Sequence, residues 1–229
     1  MSNALKIEVE GTDGAGKTTA LKYMIEQLQK RGTKVLETRE VGSPHIPVCV
    51  KLRQTVLDPE SNMSGEAMEL VFSAMRFEND RLFRKVAKDY DVVVSDRGWF
   101  SHLAYTDHNV SPEFTNDLYL NFMHKYTLLP DVVIYFSVDT QTALQRRVKR
   151  GEGMADAIEM KGVGYQELVR GSFNKYLRQV TDVTMYNNET IVYTVDANDT
   201  IEGVRLQMDK IVDLILLQMV EKQNLLANA

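Results

Sequence analysis

The chain has 229 residues, 44% hydrophobic and 26% charged, with 27 Lys and Arg against 32 Asp and Glu, for a net charge of −5. A chain of that size buries roughly 70% of its unfolded surface and needs no metal or disulfide staple, and the composition excludes extended disorder. The single cysteine, Cys49, excludes an internal disulfide or a zinc cluster and reads as a small apolar filler, while the negative net charge argues against general nucleic-acid binding.

In chain order, apolar bursts alternate with stretches of helical period. Strands are predicted at Leu5–Glu10, Thr33–Thr38, Asp91–Ser95, Asp131–Val138 and Thr190–Val195. Helices are predicted near 17–31, 64–88, 112–127, 140–150, 164–180 and 200–222. Val132–Val138 is apolar almost throughout, as a parallel strand covered on both faces should be. Strands alternating with helices predict an α/β protein with a parallel sheet. With no repeat, low-complexity tract or linker, residues 1–229 read as a single domain. Leu5–Val9 disagrees with a buried central strand, because Lys6 and Glu8 fall on one face of it. In the last helix Ile201, Val204, Met208, Ile211, Ile215 and Met219 form one apolar stripe, suited to a core or to a dimer surface. Met1–Glu10 lacks the basic and apolar regions of a signal peptide. No run reaches the roughly 18 uncharged apolar residues of a membrane span. A cytoplasmic protein without membrane contact is the expectation.

Gly11-Thr12-Asp13-Gly14-Ala15-Gly16-Lys17-Thr18 fits the phosphate-binding pattern G-x-x-x-x-G-K-[ST], after a strand and opening a helix. Its backbone N–H groups and the helix N-terminus suit phosphate oxygens. Lys17 is placed to reach β- and γ-phosphates, and the Thr18 hydroxyl to hold Mg²⁺. A GTPase is disfavoured, because the only Asn-Lys pair, Asn174-Lys175, is followed by Tyr176 and Leu177. Asp96 and Arg97 end the third strand, where ligands of parallel sheets gather. They suit a metal-water shell and a phosphate clamp, or an ion pair that caps the next helix. Arg146, Arg147, Lys149 and Arg150 end a helix, as a cationic lid over a triphosphate or as a solvated basic terminus. Phe72 and Arg76 share a helix face. They suit stacking on a base and bonding its edge, although an aromatic there also suits a core. The four histidines show no metal-ligand spacing.

Taken together and in order, these motifs resemble the thymidylate kinases of the P-loop nucleoside-monophosphate kinase family, over about 6–204. Glu10–Thr19 resembles the family P-loop, with Asp13 near the sugar and the transferred phosphate. Thr38-Arg39-Glu40-Val41-Gly42 resembles a TREPGG segment, with Arg53 in the LR that follows. Phe72-x-x-x-Arg76 resembles the base-stacking Phe and base-bonding Arg. Asp96-Arg97-x-x-x-Ser101-x-x-x-Tyr105 resembles DRYxxSSLAY, in which the Arg binds the monophosphate and the Tyr disfavours ribose. Asp156-x-x-Glu159 and Tyr165-x-x-x-Val169-Arg170 resemble the lid, and Asp196 and Ala197 the loop beside the ATP adenine.

The resemblance implies a three-layer α/β/α P-loop fold with a five-stranded parallel sheet, order 2-3-1-4-5, and a helical lid near 146–165. It implies transfer of the γ-phosphate of ATP·Mg²⁺ to dTMP, by a homodimer. ATP would sit on Gly11, Gly14, Ala15, Gly16, Lys17, Thr18 and Thr19, with Mg²⁺ at Thr18 and Asp96. The monophosphate would meet Asp13, Arg39, Glu40, Arg53, Phe72, Arg76, Arg97, Ser101, His102, Tyr105 and Thr106. Four departures stand out. Gly14 and Ala157 occupy the two positions where the family carries its arginine, which leaves the transition-state cation to Arg147, Arg150 or Arg146. Val41 replaces a proline. Gly98 replaces an aromatic. His102 and Thr106 replace a Ser and a Gln that read the base. The alternatives are a kinase of another deoxynucleotide (a modified dUMP, or dGMP), a deoxynucleoside kinase, and a non-enzymatic ATP sensor.

Overall fold

The computed structural model describes residues 4–150, 162–181 and 190–227. Five strands, β1 (Leu5–Glu10), β2 (Val35–Arg39), β3 (Val92–Asp96), β4 (Val132–Ser137) and β5 (Ile191–Asp196), form one parallel sheet in the order β2-β3-β1-β4-β5. The expected topology is therefore present. β1 is central, with Val9 opposite Asp96 of β3 and Ile134 of β4. The order reverses across β1, so a crevice opens beyond its carboxyl end.

Nine α-helices are described: α1 (Lys17–Lys30), α2 (Pro47–Leu57), α3 (Gly65–Val86), α4 (Trp99–Thr106), α5 (Pro112–Thr115), α6 (His124–Tyr126), α7 (Thr140–Arg150), α8 (Gly162–Thr181) and α9 (Ile201–Ala227), with a single 3-10 turn at Pro59–Ser61. A wider-turned helical stretch, Asn116–Met123, joins α5 to α6 and so fills the helix predicted over 112–127. Two helices were not predicted. α4 is buried on every side, so its sequence WFSHLAYT has no polar face and no helical period. α2 carries only two fully buried residues, Cys49 and Val56, and its clearest signal is Pro47 in its first turn.

Leu5, Ile7 and Val9 face one layer, packing with Leu21, Met24 and Leu28 of α1 and Met208, Ile211 and Ile215 of α9. The middle of the α9 stripe, Met208, Ile211 and Ile215, is thus core, with Val204 and Met219 half-buried beside it and Ile201 exposed. On the other side, Trp99, Phe100 and Leu103 of α4 pack with Val169, Phe173 and Tyr176 of α8. Lys6, Glu8 and Glu10 point into this second layer and are buried there. Lys6 Nζ lies 3.2 Å from Asp80 Oδ1 and 3.4 Å from Glu8 Oε1. Glu8 Oε2 accepts from the Trp99 N–H at 2.8 Å, and Glu10 Oε1 from the Ser101 N–H at 3.0 Å. The alternation in β1 is therefore that of a strand with one apolar buried face and one charged buried face, each charge having partners.

Candidate active site

The loop after β1 turns on residues in the left-handed region, Gly14 at φ 86° and Gly16 at φ 87°. A Cβ on Gly14 would stand 2.4 Å from the Ala143 carbonyl oxygen of α7. That close approach leaves no room for the arginine the family places here. Lys17 is buried, and its Nζ donates to the Gly11 and Thr12 carbonyls at 2.9 Å each. Burial, then the neighbouring Arg97 charge, pull its pKa down to about 8.

Above this loop lies a cleft of about 990 Å³. Gly14, Ala15, Gly16, Lys17, Thr18 and Thr19 line it, with Arg39, Arg53, Asp96 and Arg97 on one side and Arg146 and Lys149 of α7 on another. Its far wall is Asp199 together with Ile201, Val204 and Arg205 of α9. Asp196 and Ala197 do not line it: Ala197 is core, and the Asp196 carboxylate accepts from the Asn198 N–H at 3.0 Å.

Beside the cleft is a smaller pocket of about 100 Å³, and Asp13, Glu40, Arg53 and Arg97 line both spaces. At this junction Arg97 holds φ 69°, a left-handed conformation costly for a non-glycine residue. It directs one guanidinium nitrogen to the Gly11 carbonyl at 3.1 Å and the Ser101 hydroxyl at 3.2 Å, and the other to the Asp13 carboxylate. The guanidinium lies 5.1 Å over the Tyr105 ring. Tyr105 Oη and Gln166 Nε2 donate to Asp13 Oδ2 at 3.2 and 3.4 Å. Burial raises the Asp13 pKa, but the charges of Arg97, Lys17 and Arg147 outweigh it and hold it at about 2. Glu10, behind Ser101, is lifted to about 7 by burial and by the nearby Glu8 charge, against the Ser101 hydrogen bonds.

The pocket continues past Ser101 and Tyr105 to His102, Glu69 and Phe72. The rings of Phe72 and His102 meet edge to face at 6.0 Å. Two residues expected here stand behind the wall. Arg76 is fully buried, 2.8 Å from Glu40 Oε2, with its guanidinium 5.0 Å over Trp99. Burial raises the Glu40 pKa, but Arg76 and His102 outweigh it and hold the carboxyl at about 2. Thr106 is fully buried and donates to Glu69 Oε2 at 2.7 Å. Arg39 lines the cleft, and Arg53 donates to the Val41 carbonyl at 2.9 Å. Arg150 ends α7 with only its backbone described, and Asp156, Ala157 and Glu159 lie outside the described residues.

Sequence reasoning missed Glu69 and Gln166. Glu69 sits three residues before Phe72 on the same face of α3, a spacing that could have marked it. Gln166 follows Tyr165 in the lid segment, and no pattern singles it out.

The family described as thymidylate kinase matches residues 9–207. A thymidylate kinase of Enterococcus faecalis is 32% identical over 174 residues, covering 74% of this chain and 80% of its own. Those of Finegoldia magna and Ectopseudomonas mendocina are each 28% identical, over 200 and 214 residues, covering 86% and 93% of this chain and 92% and 96% of their own. A family match that runs from the end of β1 into α9 takes in both cavities and the Asp13–Arg97 junction between them. This chain belongs to the thymidylate kinase family.

Proposed function

We infer that the cleft takes ATP and the pocket takes dTMP, so that the chain transfers the γ-phosphate of ATP to dTMP and releases dTDP and ADP. The observation that carries this reading is the meeting of the two cavities at Asp13 and Arg97, directly beside the phosphate-binding loop. In-line transfer needs donor and acceptor phosphates held end to end and their charge neutralised. The acceptor is a phosphate already ionised at neutral pH, so no general base is needed. That separates the reading from a deoxynucleoside kinase, whose hydroxyl acceptor needs one. Glu40, a candidate for such a base, is tied to Arg76.

On this reading Lys17 and the loop N–H groups hold the ATP phosphates. Arg97 holds the acceptor phosphate, with Asp13 and Ser101 fixing its guanidinium. Tyr105 lies under the sugar and Phe72 on the base. Arg146 and Lys149 approach from the donor side, while the Arg147 charge reaches Asp13. We assign the displaced transition-state cation to Arg147 or Arg146. Thr18 lines the cleft, and Asp96 Oδ1 is buried with no hydrogen-bond partner among the described residues. These oxygen donors suit a hard cation, and Mg²⁺ held by Thr18 and Asp96 would neutralise charge on the transferring phosphoryl group.

The one sheet shared by all five strands supports a single domain. None of the described helices is long and apolar enough to cross a membrane. A homodimer rests on the family resemblance and a cytoplasmic location on the single cysteine, which suits a reducing compartment; mass measurement in solution and cell fractionation test them.

The function is tested by coupled-enzyme turnover with dTMP, dUMP, dGMP, dCMP, dAMP and the ribose form of TMP. We expect dTMP first and ribose strongly disfavoured. A missing methyl is worth about 1–3 kcal/mol, so dUMP should fall within a factor of about 100. A preference for an unphosphorylated nucleoside would overturn the assignment.

A further inference from the structure

Glu69 is 1% exposed, yet it lines the acceptor pocket together with Phe72 and His102. Three donors converge on it from separate parts of the chain. The Thr106 hydroxyl of α4 reaches Oε2 at 2.7 Å, and the Tyr119 hydroxyl reaches the same oxygen at 2.9 Å. Asn109 Nδ2, from the turn after α4, reaches Oε1 at 3.2 Å. Burial, then the adjacent Glu69 charge, push the Tyr119 phenol well above its ordinary value, so it keeps its proton and donates. Among the described residues Glu69 has no cation within ion-pair distance. A buried carboxylate held only by neutral donors is costly, and nothing in the phosphate clamp or the core requires it. Oε1 accepts one hydrogen bond where Oε2 accepts two, which leaves Oε1 able to accept another.

We propose that Glu69 determines base specificity, its carboxylate accepting a hydrogen bond from a protonated ring nitrogen on the pairing edge of the acceptor base. This rests on the reading of the pocket as the dTMP site. Thymine, uracil and guanine carry such an N–H. Cytosine and adenine present a lone pair at that nitrogen, which would face the lone pairs of an acceptor-only group and leave a buried carboxylate oxygen unpaired. The choice exercised is therefore for a ring proton, and Thr106, placed behind the wall, acts by orienting Glu69.

The test is the ratio of kcat/KM for dTMP and dCMP at saturating ATP. In Glu69→Gln the shape is kept, but the new amide can donate to the cytosine lone pair. The dTMP:dCMP ratio should narrow by about tenfold or more, the size of one hydrogen bond to a charged group. Thr106→Val removes one orienting donor and should narrow the ratio by about threefold. Thermal unfolding checks that each variant is folded. Should Glu69→Gln fail to fold, the Thr106→Val ratio decides. Wild-type turnover of dTMP, with a ratio unmoved in the folded variants, overturns the role of Glu69 alone. A wild-type chain that phosphorylates no nucleoside monophosphate overturns the dTMP reading beneath it.

Discussion

Lys17 illustrates how a single residue is tuned before any nucleotide arrives. Its ammonium is tethered by the carbonyls of Gly11 and Thr12 and crowded by Arg97, and its pKa of about 8 lies well below the usual lysine range. Lys17→Ala should lower kcat by two to three orders of magnitude, about 3–4 kcal/mol, as for the loss of one preorganised donor. Thermal unfolding should show the variant folded. Below pH 8 the free enzyme carries the charge, and above it the charge is lost. The kcat/KM for ATP should therefore fall as pH rises through 8, and a profile flat to pH 9.5 would contradict the assignment. At this scale the sequence was most informative where a residue touches open space. The phosphate loop and Arg97 line the cleft, and Arg97, Ser101 and Tyr105 line the pocket beside it. Arg76 and Thr106 were legible as motif positions, but only packing reveals that Glu40 and Glu69 stand in front of them.

Among elements, the approach of α7 to the phosphate loop governs which cations can act. The Ala143 carbonyl closes the space beside Gly14, and the same helix brings Arg146 and Lys149 to the cleft and the Arg147 charge to Asp13. Of Arg146→Ala and Arg147→Ala, one should show a large loss in kcat with little change in the KM for ATP, the pattern of a contact made in the transition state. Two mild variants would move the role to Arg150, Lys161 or Arg170. β1 and α4 meet just as tightly. A Cβ on Gly98 would stand 2.0 Å from the Glu8 carboxyl carbon. The Glu8 carboxylate thus fills the space a side chain at position 98 would take. Gly98→Ala should cost about 1–3 kcal/mol by overpacking. A double-mutant cycle with Glu8→Ala, followed by denaturant unfolding, should return a coupling energy of similar size and opposite sign. The sequence showed Lys6 and Glu8 on one face of β1 only as a disagreement with a buried strand, because the partners that make that face charged and buried come from α3 and α4. α4 itself was illegible because burial on all sides erases helical period.

For the molecule as a whole, the buried carboxylates set opposing limits on stability. Asp13 and Glu40 hold pKa values of about 2, below the unfolded values of 3.8 and 4.5. Their contribution is complete above about pH 4.5 and is lost as pH falls toward 2. Glu10 works the other way. Its folded pKa of about 7 exceeds the unfolded 4.5, so its contribution is complete below pH 4.5 and is lost as pH rises through 7. Tm should therefore peak near pH 4.5 and fall between there and pH 7, with Glu10→Gln flattening that fall. A Tm rising steadily from pH 5 to 8 in the wild type would contradict this.

The Glu8–Gly98 contact also orders the sequence changes open to this fold. A side chain entering at position 98 must displace the Glu8 carboxylate, so it is accommodated best once position 8 has lost that group. Losing that carboxylate first takes one partner from each of the buried charges of Lys6 and Arg76, leaving them Asp80 and Glu40. Neither step is mild alone, so the two positions should drift as a linked pair. Among relatives, a bulky residue at the position of Gly98 should accompany a small or apolar one at the position of Glu8, and an uncharged one at that of Lys6.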